Sequence, residues 1–186
     1  MKTLIINGSP RKNGDTAALI KKFKEHLSGE AEEISAYYGK IAPCVDCRRC
    51  HSHKGCVIRD DMDKIYADDY DILVIASPVY MHNLTGPLLS LASRFQMYYT
   101  ARRFLNEPIV RRKKTAALLL SAGGDGGAEP AIESAKLIFK IMNAKFDEAN
   151  AAFSLQTDTL TASEDSEALE KAGKIARRLS TAAGSL

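Results

Sequence analysis

All four cysteines of the chain fall in one short stretch, CVDCRRCHSHKGC, from Cys44 to Cys56. Cys44, Cys47, Cys50 and Cys56 are spaced C-x2-C-x2-C-x5-C. Thiolates stepped in this way along a tight loop can converge on one centre, and successive C-x2-C steps are the usual way a sequence supplies the ligands of a 4Fe-4S cluster. Zinc also accepts four thiolates, although structural zinc generally takes two C-x2-C pairs separated by a longer span. A loop of reduced thiols without metal is the third possibility. The neighbours Arg48, Arg49, His51, His53 and Lys54 would offset the charge of a thiolate-bound cluster and raise its reduction potential, or would form a solvated basic loop. Four thiolates already complete a ligand set, so His51 and His53 are expected outside it. Asp60 and Asp61 in IRDDMDKIY are read as residues of a helix N-terminus, favoured by its dipole, and not as catalytic acids.

Three further loops carry usable groups. NGSPRKNGDTAAL offers the Ser9, Asn13 and Thr16 side chains, backbone amides and the positive end of a following helix, which together form a site for a phosphate dianion. A turn whose polar residues merely cap that helix is the plainer reading. It is not a P-loop, because Lys12 is not followed by Ser or Thr, and GDGGAE from Gly124 lacks the third glycine of a dinucleotide fingerprint. In SPVYMHNLTGPL, Pro78 fixes the chain after an apolar run, Tyr80 and His82 offer flat faces, and the amides of Val79 to Asn83 can meet the polar edge of a planar ring. SAGGDGG supplies a third wall with little side-chain bulk.

The elements that must position these loops alternate. KTLIING (2–8), DILVIASPVY (71–80) and KTAALLLSAGG (114–124) are apolar runs of the kind buried on both faces of a sheet. EEISAYY (32–38), with its charges, suits an edge strand, and a weaker strand is expected at 151–155. Helical spacing joins Leu19, Ile20, Phe23 and Leu27, ending at Ser28-Gly29; then Leu84, Leu88, Leu91, Phe95 and Tyr98; then Ile132, Ala135, Phe139 and Met142; and finally Leu169, Ala172, Ile175, Ala176 and Leu179. Alternating strands and helices require a parallel sheet with helices on both faces. Five strands predict an α/β, flavodoxin-like three-layer sandwich in order 2-1-3-4-5, with the ligand beyond the carboxyl ends of the strands where the order reverses. The three loops named above all lie there, and the cysteine loop (43–60) follows the second strand.

With 186 residues, 45% hydrophobic and 26% charged, the chain is expected to be one domain over 1–186. It has no apolar run long enough to span a bilayer. The start MKTLIINGSP has no secretory pattern, so a reducing cytoplasm is expected and structural disulfides are not. A net charge of +3, with basic residues in short clusters such as RRKK (111–114), argues against nucleic acid. Tyr98, Tyr99, Phe104 and Leu105 form an apolar segment suited to a contact between copies.

Together, GSPRKNGDT, the four cysteines followed by VIRDDM, SPVY and the Gly123-Gly124 pair resemble the flavodoxin-like NAD(P)H-dependent FMN reductase group, and within it the iron-sulfur flavoproteins, over essentially the whole chain. The resemblance implies that Ser9, Arg11, Asn13, Asp15 and Thr16 belong to the FMN phosphate loop. It implies that Pro78, Val79, Tyr80, Met81, His82 and Asn83, with Ala122, Gly123, Gly124 and Asp125, surround the flavin. It also implies a homodimer or homotetramer, NAD(P)H or a ferredoxin-type carrier as partner, and a small-molecule acceptor. No acid-base dyad or nucleophile is expected, since the flavin supplies the chemistry. Two departures stand out: Asp15 occupies a place where the family has a neutral Asn or Ser, and Ser93-Arg94 stands for its usual Asp-Arg. A flavodoxin-like partner-binding module, with zinc or no metal in the cysteine loop, is the competing class.

Overall fold

The computed structural model describes residues 1–106, 112–124 and 127–183. Strands β1 (Lys2–Asn7), β2 (Glu30–Ser35), β3 (Ile72–Pro78), β4 (Lys114–Ala122) and β5 (Ala144–Leu155) form one parallel sheet in the order β2-β1-β3-β4-β5. This is the expected flavodoxin-like order. The register pairs Asn7 with Ala76 and Pro78 with Ser121, so the ends of β1, β3 and β4 meet along one edge.

The period-2 pleat divides the apolar strands between two cores. Leu73, Ile75, Leu118 and Leu120 face one, while Ile72, Val74, Ala76 and Leu119 face the other. Helices α1 (Asp15–Glu25) and α6 (Ser166–Ala183) cover the second face, and α2 (Met62–Tyr66), α3 (Gly86–Ser93), α4 (Gln96–Phe104) and α5 (Glu129–Ile141) cover the first. Because β3 and β4 are buried on both sides, their sequences read as continuous apolar runs. β2 buries only Ile34 and carries Glu32 and Glu33, charges that blunt an edge strand against pairing with another chain.

Three boundaries differ from the sequence expectation. α1 stops at Glu25, and Gly29 (φ 86°) instead turns the chain into β2. β5 begins at Ala144 rather than 151, because its first half is irregular: Ala116 pairs with Phe146 but Leu118 with Ala151, and the extra residues Asp147 and Glu148 stay exposed. The helix expected through Leu84 and Tyr98 is two helices. Between them Arg94 N–H bonds Leu91 O, Phe95 N–H bonds Ala92 O and Met97 N–H bonds Arg94 O, a tightened three-residue pattern that re-aims α4. The expected apolar face nonetheless survives, with Leu84, Leu88, Leu91, Phe95 and Tyr98 all buried. Tyr98 thus belongs to the core, while Tyr99 and Phe104 remain exposed. No helix among the described residues is long and apolar enough to cross a membrane.

Candidate functional site

A cleft of about 130 Å³ opens at the sheet edge where β1, β3 and β4 end. Its floor depends on Gly8. The Gly8 N–H donates to Ala76 O (2.7 Å) and its carbonyl accepts from the Thr85 hydroxyl (2.8 Å). A Cβ there would sit 2.6 Å from Leu88 Cδ1 and 2.9 Å from Ser77 Oγ, so no larger residue lets the loop approach β3 this closely. Ser9 is buried; its N–H donates to Asn7 Oδ1 (2.8 Å), and its hydroxyl accepts from Arg11 N–H (3.1 Å) and faces Arg11 O (3.2 Å). Thr16, in the first turn of α1, holds a buried hydroxyl 2.8 Å from that of Ser121 at the end of β4. Two hydroxyls that share one hydrogen bond use one proton between them, and the second O–H remains available to the cleft that both residues line.

The sequence-derived residues separate into two groups. Ser9, Arg11, Asp15, Thr16, Pro78, Val79, Tyr80, Ala122 and Gly123 line this one cleft. The Asp15 carboxylate turns away from it and accepts the Ala162 N–H at 2.9 Å, which resolves the presence of an anion in a phosphate-type loop. Asn13 faces a neighbouring groove with Lys12, Lys21, Thr161 and Ser163. Met81 and His82, both at positive φ, form a tight turn closed by the reciprocal bonds Tyr80 N–H to Asn83 O (2.9 Å) and Asn83 N–H to Tyr80 O (3.0 Å). The turn is pinned to α5, since His82 Nδ1 lies 2.8 Å from Gly127 O and Ser134 Oγ donates to Asn83 Oδ1 (2.9 Å), while Met81 is 93% exposed. Gly124 lies beside the cleft, its N–H donating to Asp158 Oδ2 (3.0 Å). Asp125 lies outside the described residues.

Ser121, Thr157 and Asp158 complete the lining and were not anticipated. The signal for the last two was topological: β5 is parallel to its neighbours, so the residues following it must emerge at the same edge. Asp158 packs so closely that a Cβ on Gly123 would meet its Oδ1 at 2.5 Å.

The cysteine stretch does not share this cleft. Cys44, Cys47, Cys50 and Cys56 all line a second, smaller cavity of about 30 Å³ against the α3–α4 junction, where Arg94, Met97 and Thr100 form its inner wall. Cys44 and Cys47 are exposed, whereas Cys50 and Cys56 pack against the core. Among the described residues, no three Cys, His, Asp or Glu side chains close on a point tightly enough for a single metal ion. His51 stacks on Phe104 at 4.4 Å between ring centroids, and His53 Nδ1 lies 2.8 Å from the Ser52 hydroxyl, so both histidines are occupied elsewhere.

Ser93 and Arg94 turn out to serve this loop. Ser93 Oγ accepts the Cys44 N–H (3.0 Å), and buried Arg94 donates to Ala42 O (2.9 Å), Asp60 Oδ2 (2.7 Å) and Ile58 O (3.0 Å). Asp60 also accepts the Ala42 and Met62 N–H groups at 3.0 Å each. Burial alone would raise the Asp60 carboxyl; the bonds from Arg94 and these two amides outweigh it and hold the group below its ordinary range. Asp60 is therefore an ion-pair anchor, while Asp61 precedes α2 without a side-chain capping bond and its carboxylate accepts the Lys40 N–H at 2.8 Å. α3 spans the gap between the two sites: Thr85, before its first turn, bonds Gly8 in the cleft, and its last residue, Ser93, holds Cys44. Eight residues at helical rise place these ends about 12 Å apart.

A family model described as NADPH-dependent FMN reductase matches residues 1–158. The chain is 32% identical over 139 residues to an iron-sulfur flavoprotein of Methanosarcina thermophila, a match covering 72% of this chain and 70% of that protein. Among solved structures it is similar to RosB with a bound 8-demethyl-8-formylriboflavin-5'-phosphate, at TM-score 0.71 and 16% identity, over 100% of this chain and 79% of the other. It is also similar to the Trp repressor binding protein from Bacillus subtilis, at TM-score 0.65 and 20% identity, over 95% and 97% of the two chains. These structural likenesses establish the flavodoxin-like fold. The chain belongs to the NADPH-dependent FMN reductase family, in the group that includes the iron-sulfur flavoproteins, and is an FMN-dependent oxidoreductase.

Proposed function

We propose that the edge cleft holds FMN by its phosphate and that the four cysteines hold a 4Fe-4S cluster, so that one domain joins a nicotinamide or a ferredoxin-type carrier to a small-molecule acceptor. The observation that carries the phosphate assignment is the Thr16–Ser121 hydroxyl pair, which leaves one buried O–H free at the cleft. Ser9, Arg11 and Asn13 with the amides at the start of α1 supply further donors, and Arg11 supplies charge. At about 130 Å³ the cleft is smaller than the 300 Å³ or more of an ordinary ligand pocket, so it takes the phosphate end and only part of the rest. The ring then lies along Pro78 to Asn83 and the Ala122 to Asp125 segment, with Tyr80 and Met81 at its open side. FMN supplies two-electron exchange with a nicotinamide and one-electron exchange with a cluster; the chain binds, orients and shields.

The cysteine assignment rests on donor chemistry and arrangement. Four thiols border one cavity without closing on a single point, which suits a cluster that gives each thiolate its own iron better than one tetrahedral zinc. The cavity has about the volume of one water, so the exposed Cys44–Cys47 arm must swing outward on loading. Asp46 and Arg48 flank Cys47 at positive φ, a backbone with alternatives to relax into. The residual exposure of Tyr99 and Phe104 supports a homodimer or homotetramer, and a monomeric FMN-bound form in sedimentation would contradict it. The reducing compartment these thiols need is the cytoplasm.

Anaerobic purification followed by flavin, iron and sulfide analysis, with electron paramagnetic resonance of the reduced protein, tests the reading. Full FMN with no iron or sulfide after reconstitution would remove the cluster. A colourless protein that takes up neither would favour a partner-binding module.

A further inference from the structure

Arg94 is 1% exposed, and its guanidinium carries five N–H donors in a fixed fork. Nη1 donates to Ala42 O and Asp60 Oδ2, and Nη2 to Ile58 O. Ala42 precedes the first cysteine, while Ile58 and Asp60 follow the last, so one side chain ties both stems of the loop. The Nε–H has no partner although it is buried. Native proteins rarely leave a buried donor unmet, and such a group calls for an explanation.

Arg94 also lines the cavity bordered by the four cysteines, and Cys56 is near enough to act on its charge. The other acceptors around that cavity are engaged or face solvent: Asp46 pairs with Arg48 at 3.4 Å, the Thr100 hydroxyl donates to Met97 O at 3.1 Å, and Gln96 is exposed. Sulfur is the acceptor that remains.

We infer that Arg94 is a positioning residue whose Nε–H donates to a cysteine sulfur, Cys56 first, fixing the loop to receive the cluster and raising the potential of the cluster held there. Hydrogen bonds to the sulfurs raise the reduction potential of an iron-sulfur centre, and a guanidinium adds a fixed positive charge. The inference rests on the reading that the cysteines hold a cluster, but part of its test does not.

Arg94→Lys keeps the charge and removes both the fork and the Nε–H. In reduced, metal-free protein, Cys56 should react with a thiol reagent about tenfold faster in the variant, because charged hydrogen bonds of this kind hold the loop shut. After anaerobic reconstitution, FMN content should match wild type and the cluster potential should be lower. Ser93→Ala frees only the Cys44 N–H: Cys44 should react faster while the potential stays at the wild-type value. An equal drop in potential in Ser93→Ala would show that loop looseness and not the Arg94 donor sets it, and would overturn the inference. So would wild-type thiol rates in Arg94→Lys. Should Arg94→Lys not fold, wild-type protein labelled with 15N-arginine decides the matter, since the reduced cluster should show a coupling to labelled nitrogen and its absence contradicts the bond. Wild-type protein lacking iron would refute the cluster reading itself, and the thiol rates would still decide whether Arg94 closes the loop.

Discussion

Replacing Thr16 by Val tests the phosphate site at its most buried point. Valine preserves the shape of threonine and removes the hydroxyl, leaving Ser121 Oγ, now 2.8 Å from a hydroxyl, facing a methyl group. If the free O–H of the pair donates to a phosphate dianion, its loss removes a charged hydrogen bond of about 1.5–3 kcal/mol, which weakens FMN binding about 10- to 160-fold. Riboflavin lacks the phosphate, so its affinity should change little and the preference for FMN should shrink by the same factor. The orphaned Ser121 hydroxyl should also cost about 1–3 kcal/mol of stability, visible in denaturant unfolding of the FMN-free protein. Calorimetric titration of both flavins into wild type and variant separates the effects. FMN and riboflavin weakened equally, or FMN unaffected, would refute the phosphate assignment.

Asp60→Asn leaves the buried Arg94 charge without its partner and should destabilise the fold by about 3–5 kcal/mol, measured by denaturant midpoint. The folded Asp60 carboxyl lies below its ordinary value, so its contribution is fully present above the unfolded value and is lost as pH falls through the folded one. Wild type should therefore release its cysteine loop to thiol reagents only below about pH 4, and Asp60→Asn should lack that step. Gly123→Ala places a Cβ 2.5 Å from Asp158 Oδ1, so it should displace Asp158 and weaken FMN binding, and adding Asp158→Ala should restore most of the loss in a double-mutant cycle. Serine at any one of Cys44, Cys47, Cys50 or Cys56 should cut iron and sulfide content while FMN content holds, because the two sites draw on different loops.

The sheet was legible in the sequence because β3 and β4 are buried on both faces and so are written as uninterrupted apolar runs. β5 was only half legible: the residues that break its register with β4 include Asp147 and Glu148, and a pattern of burial cannot show where pairing resumes. The cleft residues followed from the rule that parallel sheets bind beyond their carboxyl ends, but Thr157 and Asp158 were overlooked because β5 was not followed to that edge. Asp15 looked adverse as a type of residue; only the fold shows its carboxylate spent on Ala162. The break at Arg94 had no local signal, since SLASRFQMYY has ordinary helical spacing. What interrupts the helix is tertiary: Arg94 reaches Ala42, Ile58 and Asp60, residues far away in the chain.

The account's central claim is that one chain holds a flavin reducible by an external donor beside a cluster about one short helix away. An anaerobic titration of the reconstituted protein with NADPH, and separately with a reduced ferredoxin, followed by flavin absorbance and by paramagnetic resonance of the cluster, addresses it directly. The account predicts that FMN bleaches and the reduced-cluster signal appears in the same titration with at least one of the two donors. Bound FMN that bleaches with neither donor, or bleaches while a fully loaded cluster stays oxidised at potentials where it is separately reducible, would contradict it.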